Sequence, residues 1–107
     1  MIFFAEEALG DLEQIFNFNF ECDPETALDH IDKIRTAILV LEQHPEIGRP
    51  IRSWRRPSGI QPRPMLRELV ISHGKTGYIA LYDYSPVEKL IRVVAVRHQR
   101  EAGYRGR

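Results

Sequence analysis

Cys22 is the only cysteine in the chain, so no intrachain disulfide can form. His30, His44 and His73 show no metal-ligand spacing with one another or with Cys22, and there is no glycine-rich phosphate loop; no metal and no cofactor are expected. Internal repeats and low-complexity tracts are also absent. No apolar run approaches the length of a membrane span, and no basic segment followed by a long apolar stretch opens the chain. These absences lead to the expectation of a soluble cytoplasmic protein with no membrane contact. With 107 residues, 43% of them apolar, one core and a single domain over residues 1–107 are expected.

Charge is balanced overall and segregated along the chain. Residues 1–48 carry eleven Asp and Glu against only Lys33 and Arg35, whereas residues 49–67 carry six arginines and no acid. Two outcomes are open: a cationic side that faces phosphates or an acidic protein beside an acidic helical side that repels nucleic acid, or acids and bases that pair across the fold.

Met1 to Phe4 suit a short first strand. Ala8, Leu9, Leu12, Ile15 and Phe16 then recur at helical spacing, with Phe18 and Phe20 expected at a frayed end. Asp23 followed by Pro24 and Glu25 reads as the N-cap and first turn of a second helix. Its apolar stripe is Ala27, Ile31, Ile34, Ile38 and Leu41, and Pro45 should end it around Glu42 to His44. The two stripes predict an antiparallel helical hairpin on one face of a sheet. Prolines 50, 57, 62 and 64, with Gly48 and Gly59, predict an exposed loop without regular structure over residues 48–64.

Three strand-like runs follow, Arg67–Ser72, Gly77–Tyr84 and from Ile91 to the Arg97-His98 pair, separated by turn residues; they predict an antiparallel meander. Alternation places Tyr78, Ala80, Tyr82 and Tyr84 on one face, readable as core edge or as a docking surface. In the third run it separates Arg92, Val94 and Val96 from Ile91, Val93, Ala95 and Arg97. The fold class expected is α+β, a short strand, a helical hairpin and a three-strand antiparallel meander.

This order of elements resembles the RelE/ParE superfamily of bacterial type II toxins. The segments that carry the resemblance are Ala8-Leu9-Gly10-Asp11-Leu12, Pro24 to Leu41, His44-Pro45-Glu46-Ile47-Gly48-Arg49-Pro50, Arg67-Glu68-Leu69-Val70-Ile71, Ala80-Leu81-Tyr82 and Val96-Arg97-His98-Gln99-Arg100-Glu101. It implies a growth-inhibiting toxin, of a kind associated with plasmid stabilisation, neutralised in a hetero-oligomer with a small DNA-binding antitoxin whose extended C-terminal segment wraps it. Operator DNA would be met only through that antitoxin. The superfamily has two arms: RelE-like members cleave messenger RNA on the ribosome, and ParE-like members inhibit DNA gyrase.

RNA cleavage through a 2′-hydroxyl needs a base, an acid and cations for the phosphorane charge. The resemblance implies Arg67 and Arg97 as the cations and His98 as the proton-transfer group, with Tyr104 as a stacking residue. This chain departs from the nuclease pattern between the second helix and the next strand, where it offers arginines in place of lysines or a glutamate; guanidinium is a poor base. Arg97 and His98 read equally as structural, bonding to the tail or to antitoxin carboxylates. Arg67, Arg97, Tyr78, Tyr82 and Tyr84 are expected to bind antitoxin, and Arg52, Trp54, Arg55, Arg56 and Tyr104 to touch nucleic acid or the target, although Trp54 can equally cap the core. The preferred reading is a ParE-like gyrase inhibitor. The alternatives are a ribosome-dependent mRNA endoribonuclease and an inactive toxin-like module that only binds antitoxin.

Overall fold

A computed structural model of the chain describes residues 1–51, 66–73 and 76–99. The elements are β1 (Ile2–Phe4), α1 (Glu6–Cys22), α2 (Ala27–Leu39), β2 (Arg49–Pro50), β3 (Arg67–His73), β4 (Thr76–Ser85) and β5 (Leu90–His98), with short 3-10 turns at Pro24–Thr26 and Val40–Glu42 on either side of α2. The five strands form one sheet in the order β1-β5-β4-β3-β2, antiparallel except for the parallel pair β1 and β5. The expected meander is β3, β4 and β5. β1 lies beside the last strand, a parallel pairing that needs a long crossover, and the α1–α2 hairpin lies within that crossover.

Helix α1 runs through Phe18 and Phe20 to Cys22, so these residues are helical and not a frayed end. Its first turn carries Glu6 and Glu7, which favour the positive end of the helix dipole in the absence of a side-chain cap. Asp23 marks the break between the helices as expected, but it makes no side-chain cap bond; Pro24 starts a 3-10 turn that leads into α2. The second helix ends near the expected place, with a final 3-10 turn at Val40–Glu42.

Two sequence expectations need correction. The segment from Gly48 is not wholly irregular: Arg49 and Pro50 pair with Glu68 and Arg67, a two-residue edge strand short enough to accept a proline. The rest of that expected loop, residues 52–64, lies outside the described residues. Strict alternation also fails in β5. Leu81 opposes Ala95 and Tyr82 opposes Val93, so Val94 is an extra residue in a bulge. Ile91 and Val93 therefore share the core face with Val96 and His98, while Ala95 and Arg97 face the other way.

The core is the layer between the hairpin and this face. Ala8, Ile34, Ile38 and Leu41 from the helical side meet Ile71, Tyr78, Ala80, Tyr82, Ile91, Val93 and Val96 from the sheet. Ile2, Phe4, Leu12, Ile15 and Leu69 close its margins. The apolar stripes read from the sequence are thus the contact surfaces of both layers, which is where the hydrophobic stabilisation arises.

Candidate functional site

The tyrosine face of β4 is the core face, the first of the two readings its alternation left open; Tyr78 and Tyr82, named as antitoxin contacts, are core residues. Tyr78 is 2% exposed and Tyr82 fully buried, while Tyr84 packs half-buried at the margin. A buried phenol needs a partner for its hydroxyl, and each of the two finds partners across the layer. The Tyr82 hydroxyl accepts from the Gly48 N–H at 2.9 Å and donates to the Pro45 carbonyl at 2.8 Å. Burial pushes the Tyr82 phenol above its ordinary value, and the Gly48 N–H and the Arg67 charge partly offset that. At the other end of β4, the Tyr78 hydroxyl receives Asn19 Nδ2 of α1 at 3.4 Å and shares a hydrogen bond with His30 Nδ1 of α2 at 3.0 Å. His98 meets the Tyr78 ring edge-on, 5.5 Å between centroids.

Arg67 is engaged with the turn after α2. Its Nη1 donates to the carbonyls of Gly48 at 2.8 Å and Glu46 at 3.1 Å, so the guanidinium and the Tyr82 phenol hold the same segment from adjacent strands. Gly48 is required there: a Cβ would lie 2.6 Å from the Tyr82 hydroxyl and 2.9 Å from the Glu68 carbonyl. On the opposite face Arg49 pairs with Glu68 next to it.

Arg97 is engaged with α1. Its Nη1 donates to Asp11 Oδ2 at 2.5 Å and its Nη2 to Glu7 Oε2 at 2.8 Å. Asp11 also accepts the Val96 backbone N–H at 2.9 Å. β1 pairs with β5 only as far as Val93, and beyond it the carboxylate of a helix takes the place of a neighbouring strand on the β5 edge. Glu7 and Asp11, one helical turn apart, were not singled out from the sequence. Their signal was present in their position beside, and not within, the apolar stripe of α1.

The three residues expected to do nuclease chemistry do not converge. Arg67 opposes Tyr82 on β4, and His98 opposes Tyr78, four residues away along that strand and two strands across from β3. Strand geometry separates their Cα atoms by roughly 16 Å. Arg97 adjoins His98 in sequence but lies on the other face and reaches round the edge to α1. Arg52, Trp54, Arg55, Arg56 and Tyr104 lie outside the described residues. Among the described residues no group of three His, Cys, Asp or Glu could hold a metal ion, and no helix is long and apolar enough to cross a membrane.

A helical hairpin on one face of a five-stranded mixed sheet, tied by two tyrosines and two arginines, defines an α+β domain of the RelE/ParE-like kind. The same fold occurs in the chromosomal ParDE TA system from P. aeruginosa, which superposes with a TM-score of 0.67 at 20% identity over 91% of this chain and 92% of that one. Among curated proteins none matches the sequence. The sequence model of the ParE toxin of type II toxin-antitoxin systems, parDE, matches residues 2–103, and the chain belongs to that family.

Proposed function

We propose that this chain is a growth-inhibiting toxin that acts on a protein target, DNA gyrase, without cutting RNA, and that a cognate antitoxin neutralises it. The observation that carries this reading is the commitment of the two candidate catalytic arginines to the fold. Arg67 is spent on the carbonyls of Glu46 and Gly48, and Arg97 on the carboxylates of Glu7 and Asp11. Phosphorane stabilisation needs cations aimed at one point, with a base and an acid beside them, and here the candidates are spread over two faces and both ends of the meander.

His98 is the residue that keeps the ribonuclease reading as an alternative, because an imidazole has ring nitrogens that can donate or accept a proton and this ring lies half-buried at the end of the last strand. Of the residues expected to meet antitoxin, Arg67, Arg97 and Tyr84 retain partial exposure, and the proposed contact is narrowed to them; Tyr78 and Tyr82 act through the core.

The test is the purified chain assayed side by side for inhibition of gyrase supercoiling and for cleavage of ribosome-bound messages. Gyrase inhibition that persists in folded His98→Ala, with intact messages, is the expected result. Cleavage by the parent chain, reduced about 100-fold or more in His98→Ala, would overturn it in favour of the nuclease.

A further inference from the structure

The turn between β4 and β5 combines an exposed apolar side chain with a fixed backbone. Ser85 pairs with Leu90, and Pro86, Val87, Glu88 and Lys89 form the loop between them. Val87 is 91% exposed, more than any other large apolar side chain among the described residues. Pro86 restricts the first torsion of the loop, the Ser85 hydroxyl accepts the Glu88 N–H at 3.4 Å, and the Lys89 carbonyl accepts from the Met1 amine at 3.3 Å. Lys89 has a φ of 53°, in the left-handed region that Gly or Asn ordinarily fills. Lysine is strained there, and it sets a cation beside the apex.

The same loop borders a recess. Met1, whose amine meets Lys89 and whose carbonyl accepts the Ile91 N–H at 2.9 Å, also lines a cavity of about 370 Å³ between β1 and the end of α2. The covered part of the lining is apolar and consists of Ile2, Phe4 and Ile38. The exposed part includes Leu39, with Arg35 of α2 and Glu42 of the turn that follows it. Glu42 also lies 3.7 Å from the Met1 amine.

A projection and a recess side by side on one surface are self-complementary, because a two-fold axis between them seats the projection of each copy in the recess of the other. The charges fit that pairing. The loop carries Glu88 and Lys89 and the recess carries Arg35 and Glu42, so each copy offers an acid to the other's cation and a cation to the other's acid. We infer that this chain pairs with a second copy of itself, the Val87 side chain of each copy entering the cavity of the other and Glu88 meeting Arg35. The cavity has room for that side chain. Two such small contacts make a weak dimer that forms as concentration rises, and it is independent of the target proposed above.

The test is sedimentation velocity of the purified full chain over roughly a 100-fold range of concentration, with Val87→Asp, Glu88→Arg and the double variant Glu88→Arg/Arg35→Glu. All three positions are exposed, and the variants should match the parent in far-UV circular dichroism. The parent should pass from monomer to dimer across the range. Val87→Asp should weaken the dimer by roughly 10-fold or more, and the double variant should recover most of what Glu88→Arg loses, because the exchanged pair recurs at both contacts. A parent that stays monomeric throughout, or a dimer that folded Val87→Asp leaves unchanged, would overturn the inference. A double variant no stronger than Glu88→Arg would overturn the seating against Arg35. A monomeric parent whose capture by antitoxin is lost in Val87→Asp would overturn the pairing by assigning the loop to the antitoxin.

Discussion

The turn after α2 and the outer face of the hairpin treat polar groups in opposite ways. Around Gly48, the Tyr82 hydroxyl, the Arg67 guanidinium and the carbonyls of Pro45, Glu46 and Gly48 are all matched within the chain. On the hairpin, seven carboxylates stand exposed among half-exposed Leu and Phe side chains, outside the ion pairs of the described residues. The first arrangement is that of a region on which the fold depends. The second adds little to folding, because exposed charges on a surface contribute little to stability.

The largest effect should come from Gly48→Ala. The added methyl group would strike the Tyr82 ring and the Glu68 carbonyl, neither of which can move without disturbing the core, and urea denaturation should show a loss of about 2–3 kcal/mol. Tyr82→Phe keeps the ring and removes the hydroxyl. It leaves the Gly48 N–H and the Pro45 carbonyl without their partner and should cost about 1–3 kcal/mol in the same measurement.

Asp11→Ala extends the comparison to the β5 edge. It strips the Val96 N–H of its acceptor and Arg97 of its nearer carboxylate, and a loss of about 2 kcal/mol is expected, with faster amide exchange at Val96. Unchanged stability and exchange would mean that Arg97 is available for other work and would weaken the argument against a catalytic role.

The pH dependence separates the two regions without a large structural change. The folded Tyr82 phenol titrates above its ordinary value of 10.0, so the unfolded chain releases that proton first. Its contribution is fully present below pH 10 and is lost as the pH rises from there through the folded value. Thermal melts should fall more steeply above that pH for the parent than for Tyr82→Phe. The smallest effect is expected on the hairpin: Glu13→Gln/Asp29→Asn should change stability by no more than about 0.5 kcal/mol. A large loss there would show that these carboxylates serve the fold after all.

The tyrosines of β4 show how far local pattern reaches. Their common face followed from alternation, but whether it met solvent or the hairpin depended on which side the helices covered. In β5 alternation itself misled, because the bulge at Val94 puts Val93 and Val96 on one face. Gly48 was read as a breaker among prolines; its close fit against Tyr82 is a contact across 34 residues that no local pattern carries.

The amino-acid sequence by itself determined the elements and their faces: the stripes of α1 and α2, the break at Asp23-Pro24, the three late strands and the segregation of charge. These depend on periodicity, backbone restriction and composition, which are properties of neighbouring residues. Only the tertiary structure decided the parallel pairing of β1 with β5, the burial of Tyr78 and Tyr82, and the use of Arg67 and Arg97. An arginine at a strand end has the same local signature whether it meets a phosphate, an antitoxin carboxylate or Asp11. The partner that claims it is set by the packing of distant segments.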